Sequence, residues 1–163
     1  MDRTEESETT ERPAATDGSD ATTYTETIRA QGHEHVQATH ESTFEVTSDD
    51  WLTPAGDCIL AVEADRVPAD FDPEFVAAAQ NTDARITAEI ETAEHSHTVT
   101  GRGDPDLTFD GDRSGVGRTS DHIDDRTIMV DADAAAADID RDLVAALADG
   151  AEMTLTLRVT VDD

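Results

Sequence analysis

Polar and apolar residues alternate with a period of two along much of this chain, and Pro, Gly and Asp break the alternation into short runs. Residues 23–31 and 35–47 alternate in this way, through Val36 and Ala38 and then Phe44 and Val46, which predicts extended strands. Leu52-Thr53-Pro54-Ala55-Gly56-Asp57 predicts a chain reversal, because Pro presets one turn torsion and Gly accepts positive φ. Cys58 to Ala64 then reads as a buried strand. Asp72-Pro73-Glu74 predicts a helix start: an acceptor at the N-cap, a proline with preset φ, and an acid facing the helix dipole. Phe75, Val76 and Ala79 form its apolar stripe, and residues 85–91 return to alternation through Ile86, Ala88 and Ile90.

The same order comes back further along. Ile128 to Ala132 predicts a strand, Asp140 an N-cap, and Leu143, Val144 and Leu147 an apolar stripe. Gly150 stands where a helix C-terminus favours positive φ, and Leu155, Leu157 and Val159 alternate as a final strand. Residues 62–79 overlay 130–147 without a gap, and nine of the 18 positions are identical, among them Asp65/Asp133 and Asp72/Asp140. The pattern predicts a mainly β domain with two short helices, a barrel or sandwich built from two duplicated halves about a pseudo-two-fold axis. The alternative is an open α+β sheet. Each half is expected to be a hairpin followed by strand, short helix and strand. The expected boundaries are an acidic, disordered tail over residues 1–22 and one duplicated domain over 23–163. Its halves would lie at about 23–92 and 93–163.

Charge changes this picture most. The chain carries 39 acidic residues against eleven arginines and no lysine, a formal charge of -28. In dilute buffer that charge loads a compact state with self-repulsion, whereas in about 1 M salt the Debye length falls to about 3 Å. Composition therefore predicts a halophilic protein of a salt-rich cytoplasm. The tail has seven acids and no aliphatic run beyond Ala, too little apolar surface to order itself. A single cysteine, Cys58, excludes an internal disulfide and any Cys-based zinc cluster. No run approaches the roughly 20 apolar residues of a membrane span. Duplex nucleic acid is disfavoured, since its binding depends on basic groups that release counterions. RNA binding through Arg102, Arg113, Arg118 and Arg126 is a weaker reading, because seven aspartates stand among them. The sequence is silent on physiological partners and cofactors, and homo-oligomerisation stays open.

Several local stretches are similar to one known family. Gly32-His33-Glu34-His35-Val36, Ala38-Thr39-His40 and Thr43-Phe44-Glu45-Val46-Thr47 resemble an archaeal family known as domain of unknown function 371. So do Leu52-Thr53-Pro54, Gly56-Asp57-Cys58-Ile59, Ala64-Asp65, Gly103-Asp104-Pro105, Ser120-Asp121, Arg126-Thr127 and Ala132-Asp133. The resemblance spans about residues 26–161. The chain departs from the family pattern at His35, where the family carries Asn, and at Asp124-Asp125, where it carries Cys-Pro. The resemblance implies relatedness and no particular activity.

Candidate chemistry is sparse. His33 and His40 lie in the family-like stretch, which makes them the preferred histidines for acid-base work. Their separation of seven would put them on opposite faces of a regular strand. Asp57 and Arg126 precede matched strands, where they would flank a cleft between the halves or simply cap turns. These four form the candidate catalytic set. Ser120, Asp121, Asp65 and Asp133 form the candidate ligand-binding set. Asp65 and Asp133 would share a cation or proton if close, and would cap loops if apart. The pairs His33/His35 and His95/His97 have spacing for zinc across a two-fold, but exposed polar residues beside strands explain them more simply, so no metal is expected. Cys58 reads as a small buried hydrophobe. Phosphate-loop and Gly-x-Ser-x-Gly motifs are absent. The leading functional reading is a binding module for a small ligand or protein partner. The alternative is an enzyme of unrecognised type using His33 or His40 with Asp57 and Arg126.

Overall fold

The computed structural model describes residues 21–162, and the expected tail over residues 1–22 lies almost wholly outside them. In chain order the elements are β1 (Thr22–Gln31), β2 (Thr43–Thr47), β3 (Ile59–Ala61), α1 (Pro73–Ala79), β4 (Arg85–Glu91) and β5 (Ser96–Arg102). They continue as β6 (Ser114–Arg118), β7 (Thr127–Met129), α2 (Arg141–Ala148) and β8 (Glu152–Val161). A 3-10 turn precedes each helix, at Pro68–Asp70 and Ala136–Asp138.

The strands form two four-stranded sheets. The first has the order β1-β8-β4-β5 and is antiparallel throughout. The second has the order β3-β2-β6-β7, with an antiparallel central pair and parallel outer pairs. Alternation set the register of the first sheet. Ile28, Leu155 and Ile90 stand side by side and are buried, while Thr27, Arg158 and Glu89 alternate with buried neighbours along the same strands. One apolar cluster joins both sheets and both helices, from Phe44 and Leu60 through Phe75 and Leu143 to Leu155.

Both helices begin where the sequence placed them. Asp72 accepts the amide of Glu74 at 2.8 Å and Asp140 that of Asp142 at 3.2 Å, and Gly150 has φ +89°. The first half, however, contains no hairpin. Residues 35–42 are not a strand, so the predicted 35–47 shrinks to Thr43–Thr47; β1 pairs with β8, and β2 with β6 and β3. Two features divert the chain. Ala38 turns the chain with φ +51°, and the amides of Thr39 and His40 go to the carbonyl of Asp57 instead of a neighbouring strand. His33 and His40 consequently lie on no strand.

A closed barrel is also absent. Gln31 bridges Val62 and Arg102 bridges Val130, and those single bridges are the links between the edges of the two sheets. The predicted strands 58–64 and 128–132 shorten to Ile59–Ala61 and Thr127–Met129 because Glu63 (φ +58°) and Asp131 (φ +52°) turn the chain away just past each bridge. Among the described residues, no helix is long and apolar enough to cross a membrane.

Candidate functional site

The second sheet has one face packed on the core and one that carries charge. Phe44 and Val46 of β2 face inward, opposite Gly117 and Gly115 of β6. A β-carbon at Gly117 would collide with the Phe44 ring, so glycine is required for this close approach. The period of two then sends Glu45 and Arg118 to the other face. The loops before β3 and β7 bring Cys58, Asp124 and Arg126 to the same face.

These groups satisfy one another. The Cys58 thiol donates to Glu45 Oε1 at 3.3 Å, and Arg126 Nη1 stands 3.8 Å from Glu45 Oε2. Arg126 Nη2 donates to Asp124 Oδ2 at 3.1 Å, and Arg118 Nη2 donates to the same oxygen at 2.8 Å. Arg118, only 9% exposed, also donates through Nε to Thr127 Oγ1 at 2.9 Å. Burial would raise the Asp124 carboxyl, but the amide and guanidinium of Arg126 together with Arg118 outweigh it and hold the group well below the usual carboxylate range. Burial, and then the charge of Glu45, pushes the Cys58 thiol up to about 12, which keeps it a protonated donor at neutral pH.

Three of the four candidate catalytic residues border this cluster. Arg126 is part of it, Asp57 precedes Cys58, and the Asp57 carbonyl accepts the amides of Thr39 and His40 at 3.0 and 3.2 Å. The His40 ring is committed to its own loop: Nδ1 accepts the amides of Thr43 at 3.2 Å and Ser42 at 3.3 Å. His33 lies elsewhere. It follows Gly32, whose amide reaches Ala151 beside β8, and its Nδ1 accepts the amide of His35 at 3.0 Å.

The candidate ligand-binding residues separate into two places. Asp121 lines a cavity of about 550 Å³ with Asp106, Asp110, Asp124, Asp125 and His122. Ser120 is one residue before Asp121, and its hydroxyl accepts the amide of His122 at 3.3 Å. Asp65 and Asp133 do not meet. Asp65 Oδ1 accepts the amide of Arg29 on β1 at 2.9 Å, and Asp133 Oδ1 that of Thr100 on β5 at 3.0 Å, at opposite edges of the first sheet. Three strand spacings separate those edges, about 14 Å.

The paired histidines do not assemble a metal centre. His97 Nδ1 accepts the amide of Asp140 at 3.1 Å, and no cluster of three or more His, Cys, Asp or Glu able to hold a metal occurs among the described residues. The four closely spaced arginines are each paired: Arg102 with Asp131 and Asp104, Arg113 with Asp49, Arg118 with Asp124, and Arg126 with Asp124 and Glu45. Glu45, Asp124 and Thr127 are not among the candidate site residues of the sequence, and Arg118 enters there only in the weaker RNA-binding reading. Strand pairing brings Glu45 next to the β6 and β7 groups, and the only linear signal was a charge at an outward strand position.

Asp124→Asn should destabilise the fold by about 2 kcal/mol in denaturant unfolding, because Arg118 and Arg126 lose their shared carboxylate. A carboxyl depressed in the folded state contributes stability above its unfolded value near 4, and that contribution fades as pH falls through the folded value. The variant should therefore lose less stability on acidification than the parent. A change under about 0.5 kcal/mol with an unaltered acid limb would count against this role.

Similarity to known proteins agrees with the stretches quoted above. The family described as "Domain of unknown function (DUF371)" matches residues 28–160. A curated relative, "Uncharacterized protein MJ0206" of Methanocaldococcus jannaschii, is 39% identical over 132 residues, which cover 81% of this chain and 97% of the relative. The chain belongs to the DUF371 family.

Proposed function

We propose that this protein is a non-catalytic binding module of a salt-rich cytoplasm, built from two copies of one β-rich unit, with its ligand at the concavity beside Asp121. The observation that carries this reading is the prior engagement of most of the reactive groups. The thiol is held protonated beside Glu45, Nδ1 of His33 and Nδ1 of His40 accept local amides, and Arg118 and Arg126 are tied to Asp124. A general base or nucleophile needs a group free to meet substrate. The cavity beside the cluster instead offers acidic walls with apolar Ile123 among them. That lining suits a cationic group, on a small ligand or on a basic side chain of a protein partner. An enzyme using His40, Asp57 and Arg126 is the second reading, favoured only by their gathering around Cys58.

Matched hydrogen bonds support the duplication. Asp65 with Arg29 and Asp133 with Thr100 make the same two bonds, and the amides of Ala69 and Ala137 each reach across, to Gly111 and His40 respectively. The excess of 28 negative charges supports the halophilic reading.

Two measurements test these proposals. Thermal unfolding followed from dilute buffer to molar KCl should show a midpoint that climbs by tens of degrees; a flat profile would remove the salt-adapted reading. Calorimetric titration with spermidine in molar KCl should give one saturable site that weakens at least about tenfold in the double variant Asp121→Asn/Asp125→Asn. Uptake unchanged by those substitutions would refute the concavity as the binding site.

A further inference from the structure

The outer face of the first sheet has a charge balance unlike that of the rest of the chain. Its eighteen outward positions run from Thr23 to Gln31 on β1, Glu152 to Thr160 on β8, Arg85 to Glu91 on β4 and Ser96 to Arg102 on β5, alternating with inward, mostly buried residues. Nine are threonine, four arginine, three glutamate and none aspartate. The rest of the chain has seven arginines against 36 acids, so the carboxylates that keep the surface hydrated thin out here. Both helices start on the opposite face, where the amides of Asp72 and Asp140 reach Glu26 and His97. Thr25, Arg29, Thr98 and Arg158 are exposed, so no described element covers the outer face.

Strand propensity accounts for the threonines, but not for where the charges fall. Register places Arg29, Thr154 and Glu91 in one row across β1, β8 and β4. The neighbouring rows are Thr27, Thr156 and Glu89, then Thr25, Arg158 and Thr87. Opposite charges therefore stand at equal distances on either side of β8. Arg158 donates to Glu89 at 3.1 Å, and Arg102 is drawn off the face by Asp131 and Asp104. Among the described residues, Arg29 and Glu91 have no ion-pair partner. The edges of this sheet are closed to pairing by Asp65 and Asp133 on the amides of Arg29 and Thr100, which leaves its face for association.

We infer that this face is the interface with a second copy of the chain, packed sheet on sheet about a two-fold axis that runs along β8. Such an axis exchanges the β1 and β4 positions, so Arg29 of each copy meets Glu91 of the other and the pair is made twice. Facing sheets lie about 10 Å apart, a gap that an arginine and a glutamate bridge together. Thr27 then faces Glu89 and Thr25 faces Thr87, while Arg158, on the axis, is drawn aside by Glu89. Threonine is stiff at its first torsion and loses little freedom on docking. Four strands about 14 Å across and about 23 Å long offer, with their side chains, on the order of 500–700 Å² per copy. That is the lower edge of specific interfaces, which makes the dimer reversible.

Analytical ultracentrifugation of the whole protein in molar KCl, where repulsion between two acidic copies is screened, tests the assignment. The parent should show a reversible monomer-dimer equilibrium with a Kd of about 1–100 µM. Arg29→Glu and Glu91→Arg each set like charges opposite one another and should raise the Kd at least about tenfold. The double variant Arg29→Glu/Glu91→Arg reverses both members of the pair and should return the Kd to within about threefold of the parent. All three should keep the melting temperature within about 4 °C, and either single variant serves if the other fails to fold. A parent that stays monomeric at about 500 µM would overturn the assignment and leave the face to a different partner. A dimer that neither single variant weakens, or a folded double variant no tighter than the singles, would overturn it as well.

Discussion

Strand pairing between the two halves of the chain is the constraint on which the rest depends. β8 lies between β1 and β4, and β6 lies between β2 and β7, so the central pairings β4-β8 and β2-β6 both cross the midpoint of the sequence. Neither half can complete a sheet alone. Cut from each other, β1, β2 and β4 would each expose backbone groups that the intact chain satisfies, and each such buried group left unpaired costs about 1–3 kcal/mol. The seams between the sheets lie within the halves instead: Gln31 with Val62 and Arg102 with Val130 fasten one sheet to the other at each side. Asp65 and Asp133 then occupy edge amides of β1 and β5, which blunts those edges against further pairing.

That interleaving also creates the polar cluster. Glu45 and Arg118 belong to different halves and share a face only because β2 and β6 pair, with Asp124 and Arg126 added from the loop before β7. The close approach of Phe44 to Gly117 fixes which residues face outward. In a chain with so large a negative excess, these arginines are spent on internal pairs. The surface beside them is left to aspartate, which is the physical basis for reading the concavity as a place for cations.

The sequence was most legible where the signal was local. Asp72 and Asp140 cap their helices, Gly150 takes positive φ, and residues 85–91 form a strand over the expected span, because caps and alternation act within a few residues. The hairpin expected from 23–47 failed for a non-local reason. Alternation names the face a residue occupies but not the strand beside it, and the Asp57 carbonyl captured the amides that would have continued the pairing. The site was legible only in fragments for the same reason. Asp57, Arg126 and His40 stood out as neighbours of turns, whereas Glu45 and Asp124 gain meaning only from what strand pairing sets beside them. Asp65 and Asp133 are a symmetric pair in sequence, yet they lie at opposite edges of the first sheet.

The central claim is that two intertwined halves share one interior. Expressing residues 21–92 and 93–163 as separate chains, and following each by circular dichroism and denaturant unfolding, tests it most directly. The account predicts that each fragment alone lacks a cooperative transition and that mixing the two restores one. A fragment that unfolds cooperatively on its own, with the strand content it has in the whole chain, would contradict it.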